Sequence, residues 1–127
     1  MPEMQPYEYA VIRLVPIVER EEFLNVGVIL YSKDARFLQM KVHLPQEKIQ
    51  VFAPGLDISE IERYLLVWQW ICVGDVQGGP IASLDLPNRF RWLTAVRSTI
   101  IQSSRIHPGM SASPSACLEK LFEQYVR

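Results

Sequence analysis

Residues 7–15, YEYAVIRLV, decide the architecture of this 127-residue chain. They are rich in aromatic and β-branched side chains, and both alternating sets of positions are mainly apolar. A strand with two apolar faces is typical of the middle of a sheet, where other elements cover both sides. Pro16 ends the run because proline has no amide hydrogen to donate to a neighbouring strand. The stretch therefore predicts a central strand.

Two more strands are expected soon after this one. The first covers about residues 25–32, NVGVILYS, and follows the charged connection IVEREEF. The second is FLQMKVHL, residues 37–44, in which apolar and polar side chains alternate and leave one face wet. Three consecutive strands with short connections predict an antiparallel meander.

A long helix is expected next. Asp57 or Ser59 fits its N-cap, because each is followed by glutamate three residues later, and Gly74 is expected to end it. From Tyr64 onward the helix is apolar nearly all round, which predicts cover on more than one side. Its inward stripe is expected to consist of Ile58, Ile61, Leu65, Trp68 and Cys72.

The remaining elements are shorter. Residues 75–87 are expected to form a loop, and Asn88 is expected to cap a short helix. RSTIIQS, residues 97–103, predicts a fourth strand, and IHPGMSASPS, residues 106–115, predicts a loop. Ser113 and Pro114 are expected to start a closing helix.

The element order β-β-β-α-β-α predicts an α+β fold, with an antiparallel or mixed sheet of about four to five strands and two main helices packed on it. The length fits one domain, residues 1–127, because a chain of this size can bury a stable core without disulfides or metals. Cys72 and Cys117 lie far apart in apolar helical patterns and are expected to be reduced core residues.

Charge and hydropathy exclude several function classes. The formal net charge of −1 creates no general field, so nucleic-acid and membrane binding are not expected. The N-terminal MPEMQPYEYA has no basic or apolar region of the kind found in signal peptides. The most apolar segment, YLLVWQWICV, is about half the length that spans a bilayer. We expect a cytoplasmic protein.

Polar and small residues interrupt the first two strands. Arg13 lies among apolar positions, so its guanidinium is expected either to pair with a nearby carboxylate such as Glu22 or to bind an anion. Asn25 and Gly27 are poor strand residues. They predict either a β-bulge or a floor cleared for a ligand. The residues alone leave these alternatives open.

A basic segment lies in the second half of the chain. Between Leu86 and Ser115 there is no aspartate or glutamate, whereas Arg89, Arg91, Arg97, Arg105 and His107 occur there. Ser98 and Thr99 add hydroxyl groups. Such a group of donors suits phosphate, another anion or an acidic partner surface, although it also suits a solvated basic face.

Short catalytic motifs are missing from the sequence. It contains no glycine-rich phosphate loop, no HExxH and no GxSxG. The spacing of His43 and His107 does not indicate a metal site. We therefore expect no cofactor and no metal.

Three separated segments resemble a bacterial family. YAVIRLVP (9–16), EFLNVGVILY (22–31) and RFRWLTAVRSTIIQSS (89–104) followed by HPG occur in the order found in the domain of unknown function numbered 3037. Val96 departs from the pattern, since relatives often have proline there. The resemblance implies motif residues that include Arg13, Glu22, Phe23, Asn25, Gly27, Val28, Arg97, Ser98, Thr99, Gln102, His107 and Gly109. Family members are often encoded beside kinase-like proteins of the toxin–antitoxin type, which implies a protein partner.

We predict that the front and back motifs meet in one ligand- or partner-binding cluster, with Glu22 in contact with Arg13, Arg97 or both. Its members are Arg13, Glu22, Asn25, Arg97, Ser98, Thr99 and His107. Two functions remain open. One is a non-catalytic binding or regulatory module for a protein partner, with a small anion held at the cluster. The alternative is a small hydrolase or phosphoryl-handling enzyme. In that enzyme Glu22 or His107 would be the general acid–base catalyst, and Arg13 and Arg97 would stabilise an anion. Homo-oligomerisation is compatible with both.

Overall fold

A computed structural model describes residues 3–127. Met1 and Pro2 belong to the N-terminal segment and to the expected 1–127 domain, and they lie outside the described residues. Residues 3–127 form an α+β fold, as predicted, in the order β1-β2-β3-α1-α2-α3-β4-β5-α4.

The strands are β1 (Gln5–Leu14), β2 (Leu24–Ser32), β3 (Phe37–Val42), β4 (Ile101–Ser103) and β5 (His107–Ser111). The α-helices are α1 (Gln46–Phe52), α2 (Ile58–Val73), α3 (Leu86–Leu93) and α4 (Pro114–Tyr125). Short 3-10 helices cover Val18–Arg20, Val76–Gly78 and Pro80–Ser83. None of the helices between residues 3 and 127 combines the length and apolar character needed to cross a bilayer.

The first strand is central, as its two apolar faces predicted. β2 pairs along one side of β1, and β3 pairs with the outer side of β2. β4 and β5 share the other side of β1, at residues 12–14 and 5–9 respectively. Every pair is antiparallel, so the predicted three-stranded meander is confirmed and two short strands complete the sheet.

Helices cover both faces of this sheet. The α2/α3 face carries the larger core, in which Ile12, Leu14 and Ile29 pack with Trp68 and Phe90. The opposite α4 face carries a smaller core. There Val28 and Leu30 of β2 pack with Leu118 and Leu121 of α4. Because side chains alternate along β1, neighbouring residues of this strand face different cores.

Local signals predicted the ends of two helices correctly. The side chain of Asp57 caps α2 by accepting a hydrogen bond from the backbone N–H of Ser59 over 3.0 Å. Gly74 ends α2 in the left-handed region, with φ of 77°. Ser113 caps α4, and Pro114 occupies its first turn.

The inward stripe of α2 was also predicted correctly, since all five residues belong to the larger core or pack against it. The expectation that α2 is covered on more than one side is right only in part, because α3 and two 3-10 helices pack against α2 in addition to the sheet, yet some of its apolar residues remain exposed. Tyr64 and Val67 are 46% and 39% exposed, and Leu66 and Val73 are exposed too. The elements that pack against α2 therefore leave part of its apolar surface exposed.

Three predictions about the irregular parts need correction. Residues 107–111 form β5 instead of a loop, with Gly109 opposite Tyr7, whose ring occupies the space that a Cβ would need. The short helix α3 is capped by Asp85, which accepts from the backbone N–H of Asn88 over 3.2 Å. The fourth strand begins at Ile101 and not at Arg97. Helix α1 was not predicted at all.

Candidate functional site

The residues predicted to form one polar cluster are divided between the two faces of the sheet. Arg13 alternates with Ile12 and Leu14, which point into the core of the α2/α3 face, so its side chain emerges on the α4 face. Arg97 lies against Trp68 and Trp92 on the α2/α3 face. The predicted convergence of the two motifs is therefore wrong.

Glu22 does not join the two arginines. Its Oε1 lies 2.6 Å from Nε of Arg20, and both side chains are more than half exposed. Within residues 3–127, neither Arg13 nor Arg97 has a carboxylate within 4.0 Å. Glu22 lines a separate cavity of about 400 Å³ beside Pro16 and Phe52. Glu22 therefore pairs with Arg20, which lies in the same exposed connection, and not with Arg13 or Arg97 as predicted.

His107 lies on the α4 face with a different set of neighbours. It is paired with Tyr9 across the sheet, and the two ring centres are 5.2 Å apart. The Tyr9 hydroxyl shares a hydrogen bond of 3.0 Å with the Tyr125 hydroxyl. Burial, followed by this hydrogen bond, raises the pKa of Tyr9 to about 12. Tyr9 and Arg13 are roughly 13 Å apart along β1, so His107 belongs to an aromatic cluster away from the arginine.

These positions separate the two acid–base candidates of the enzyme alternative, Glu22 and His107. Glu22 precedes β2, whose Leu24 pairs with Leu14, whereas His107 pairs with Tyr9 near the other end of β1. That separation is roughly 16 Å along the strand. The described residues therefore do not bring Glu22 and His107 into one acid–base pair.

Asn25 and Arg13 do meet, as opposite residues on neighbouring strands. The register of β1 and β2 shifts between Ile12 and Arg13, which marks the bulge that Asn25 and Gly27 predicted. Nδ2 of Asn25 donates to the backbone oxygen of Tyr125, the last residue of α4, over 3.1 Å. The Arg13 guanidinium carbon lies 4.0 Å from the centre of the Phe23 ring. This pair therefore joins the bulge to the end of α4.

Arg97 lies in a cavity of about 750 Å³ on the α2/α3 face. Helix α2 contributes three residues spaced four apart, α3 contributes one, and the segment entering β4 contributes the rest. The lining residues are Glu60, Tyr64, Trp68, Trp92, Arg97, Thr99, Ile100 and Ile101. Helical spacing thus places the flank of α2 opposite the basic segment.

Two tryptophans hold the guanidinium of Arg97. Its central carbon is 4.4 Å from the centre of the Trp92 ring and 5.1 Å from that of Trp68. These distances are within the range of cation–π attraction. A terminal nitrogen of Arg97 donates to the backbone oxygen of Trp92. Burial lowers the pKa of Arg97, although a guanidinium remains charged at neutral pH.

Most donors of this guanidinium are free to bind a ligand. The group has five N–H donors, and the hydrogen bond to Trp92 is the one that its side chain makes with residues 3–127. Thr99 lines the same cavity, but its hydroxyl donates to the backbone oxygen of Ile101 over 2.7 Å. Ser98 is exposed next to it. Of the predicted site residues, Arg97 and Thr99 therefore share this cavity.

Sequence reasoning missed the aromatic and acidic members of the cavity. Trp68 was predicted to be a core residue, and it is one, with 7% of its surface exposed. It also lines the cavity. Glu60 and Tyr64 precede Trp68 by eight and four residues, a spacing that places all three along one side of a helix. That spacing was the signal available in the sequence.

The cavity is chemically equipped to bind an anion. It combines one positive charge, aromatic and branched aliphatic walls, and a carboxylate at Glu60, whose Oε1 accepts from the Tyr64 hydroxyl over 3.2 Å. Its lining residues include no histidine, cysteine or lysine. Within residues 3–127, no three histidine, cysteine or acidic side chains come together in the way a metal ion requires.

Comparison with known proteins places the chain in a family. No curated protein and no solved structure matches it. A family model described as a protein of unknown function (DUF3037) matches residues 9–126 and so includes both the Arg13–Asn25 pair and the Arg97 cavity. The chain belongs to the DUF3037 family, as its three motif segments predicted.

Proposed function

We propose that this chain is a binding module for a protein partner, and that the Arg97 cavity holds an anionic group of that partner. The observation that carries this proposal is the enclosure of Arg97 by two tryptophans without a carboxylate within 4.0 Å among residues 3–127. A partly desolvated guanidinium that lacks a counter-charge binds an incoming carboxylate or phosphate strongly, because few protein contacts compete for its donors.

The surface beside the cavity supports a macromolecular partner. Tyr64 lines the cavity, Val67 follows one turn later on α2, and both are exposed. Protein interfaces are enriched in aromatic and arginine side chains, and their central residues are the ones whose removal weakens binding most. Arg97 lies against two tryptophans and is flanked by exposed apolar residues, which is the composition typical of the centre of a protein interface.

In this proposal the partner is a kinase-like protein of the toxin–antitoxin type, and the two proteins bind each other in the cytoplasm. The family resemblance supports the class of partner, and the near-neutral charge of the chain fits a specific contact better than general attraction to nucleic acids. Binding without catalysis is part of the proposal, since the lining residues offer an anion-binding group and no free nucleophile with a base.

The test uses this chain and a kinase-like protein of the toxin–antitoxin type from the same organism, both purified. We expect a complex of defined stoichiometry by size-exclusion chromatography with light scattering, and a Kd measurable by calorimetry. Arg97→Gln should weaken binding at least about tenfold, as expected for a central charged contact. Arg105→Ala is the matched control, because Arg105 is an exposed arginine of the same basic segment outside the cavity.

Three results would contradict the proposal. One is the absence of a complex between the two purified proteins. The second is a complex whose Kd is the same for the wild type and for Arg97→Gln, provided that the variant retains its cooperative unfolding transition. The third is an equal loss in Arg97→Gln and Arg105→Ala, which would show that general positive charge, and not the cavity, carries the attraction.

A further inference from the structure

The Arg97 cavity restricts the chemistry of the group that it can hold. Resting on the proposed function, we infer that its occupant is the carboxyl terminus of a polypeptide whose last residue has a large apolar side chain. Three features of the cavity lead to this ligand: the number of its charges, the apolar character of its walls, and the presence of a hydrogen-bond acceptor, Glu60, among its lining residues.

The charges favour a single carboxylate over a phosphate group. Arg97 is the one cation among the lining residues, and Glu60 brings a negative charge to the same cavity. A phosphate monoester carries about −1.5 to −2 charges at pH 7 and is commonly bound by several donors or cations. A second negative charge would be repelled by Glu60. A planar monoanion matches the fork of one guanidinium.

The walls require an apolar group close to that carboxylate. Trp68 and Trp92 lie against the guanidinium, Ile100 and Ile101 line the same cavity, and its volume of about 750 Å³ is far more than a carboxylate fills. A carboxylate alone would leave these apolar walls in contact with water. A phenylalanine- or leucine-sized side chain would cover them and remove apolar surface of both molecules from water. A polypeptide terminus carries its carboxylate and its last side chain on the same Cα, so both reach the cavity together.

Glu60 supplies the third element of recognition. Its Oε1 accepts from the Tyr64 hydroxyl over 3.2 Å, which leaves the other acceptor positions of the carboxylate available. The backbone N–H of a terminal residue is a neutral donor attached to the same Cα as the carboxylate. An internal aspartate or glutamate places its carboxylate on a flexible side chain and has no apolar group on that residue. The cavity therefore fits a terminal residue better than an internal acidic one.

Peptide binding to the full chain tests this inference directly. The probe is an N-acetylated Gly-Ser-Gly-Phe peptide with a free terminal carboxylate, titrated while tryptophan fluorescence is recorded, because Trp68 and Trp92 line the cavity. Two matched probes serve as controls. The first is the same peptide with a terminal carboxamide. The second is a capped Gly-Glu-Gly-Phe amide, which keeps a carboxylate and the phenylalanine side chain but places them on different residues. We expect the free acid to bind at least about tenfold more tightly than either.

A variant series assigns this preference to the cavity. Arg97→Gln should reduce binding of the free acid to the level of the amide, and Arg105→Ala should leave it unchanged. Because the acid and amide are compared on the wild-type chain, the inference remains testable if Arg97→Gln fails to fold. Equal affinity for acid and amide overturns the inference, as does tighter binding of the internal glutamate peptide or no binding of the free acid.

The two proposals fail in distinguishable ways. If the complex with the kinase-like protein depends on Arg97 while the terminal carboxylate gives no advantage, the proposed function stands and the cavity holds another group of the partner. If the free acid binds through Arg97 but no complex with that protein forms, the cavity is a terminus-binding site and the partner class is wrong.

Discussion

Asn25 donates a hydrogen bond from Nδ2 to the backbone oxygen of Tyr125, 100 residues further along the chain, over 3.1 Å. The last carbonyl groups of a helix have no partner inside it, so a side-chain donor there stabilises the helix end. Asn25 also lies opposite Arg13 at the bulge between β1 and β2. One amide group therefore connects the irregular part of the sheet to α4.

Removing this amide should weaken the fold without affecting the Arg97 cavity. We expect Asn25→Ala to lower the free energy of unfolding by about 1–3 kcal/mol, because the partly buried carbonyl of Tyr125 loses its donor. Chemical denaturation measures the change. Ser115→Ala, an exposed substitution in the first turn of α4, is the control and should change stability by less than about 0.5 kcal/mol. Equal stabilities for the two variants would show that the bond to Tyr125 contributes little.

The close approach of β2 to β3 can be tested at Gly27, where there is no room for a side chain. A Cβ there would lie 2.8 Å from the backbone oxygen of Lys41 and 2.9 Å from Cγ1 of Val42. Gly27→Ala should therefore destabilise the protein by about 1–3 kcal/mol, the range typical of overpacking. The measurement is again chemical denaturation.

Gly55 provides the matched control for this substitution. A Cβ at Gly55 meets nothing within 4 Å, so Gly55→Ala should leave stability unchanged or raise it by about 0.4–1 kcal/mol through the unfolded state. If Gly27→Ala proved as stable as Gly55→Ala, the close packing of β2 against Lys41 and Val42 would be wrong.

The parts of the fold that sequence predicted correctly depend on local chemistry. The two apolar faces of residues 7–15 are a property of one strand, and the caps at Asp57 and Ser113 involve neighbours only two or three residues away. Such interactions do not depend on how distant parts of the chain are arranged. By contrast, β5 contains Pro108 and Gly109, which disfavour strands locally, and it is held by pairing with residues 5–9 about 100 residues earlier.

The candidate site could be predicted only in part, because its membership depends on which face of the sheet each side chain lies on. The strand expected from Arg97 begins instead at Ile101, so Arg97 lies before the strand and its direction is not set by the alternation of strand side chains. The cavity also joins α2, α3 and the segment before β4, and their arrangement is not visible in any one stretch of sequence. The charge pattern identified Arg97, but it could not identify its tryptophan neighbours.

Trp68 and Trp70 provide a test of the orientation of α2. Trp68 belongs to the larger core at 7% exposed, whereas Trp70, about 200° further round the helix, is only half-buried. Trp68→Ala should lower the free energy of unfolding by about 3–5 kcal/mol, the range for deletion of a large buried side chain. Trp70→Ala is the control and should cost clearly less. Similar losses for both, measured by chemical denaturation, would mean that the helix is rotated.

The tyrosines of the α4 face predict a loss of stability at high pH. The Cys117 thiol, as a hydrogen-bond partner, and then burial raise the pKa of Tyr7 to about 12, and burial, followed by the hydrogen bond to Tyr125, raises that of Tyr9 to about 12. Both values lie above the ordinary value of 10.0. Below pH 10 the folded and unfolded chains both hold these protons, so the stabilisation is complete there. As the pH rises from 10 towards 12, the unfolded chain releases protons that the folded chain retains, and stability falls.

The measurement is the urea midpoint of unfolding at a series of pH values between 9 and 11.5, for the wild type and for the double variant Tyr7→Phe/Tyr9→Phe. We expect the midpoint of the wild type to decrease more steeply above pH 10, because the phenylalanines have no proton to release in either state. Part of the decrease should persist in the double variant, since burial also raises the pKa of Tyr31. If the two proteins lost stability in parallel, Tyr7 and Tyr9 would not hold their protons more firmly in the folded state, and the packing of their hydroxyl groups against Cys117 and Tyr125 would have to be reconsidered.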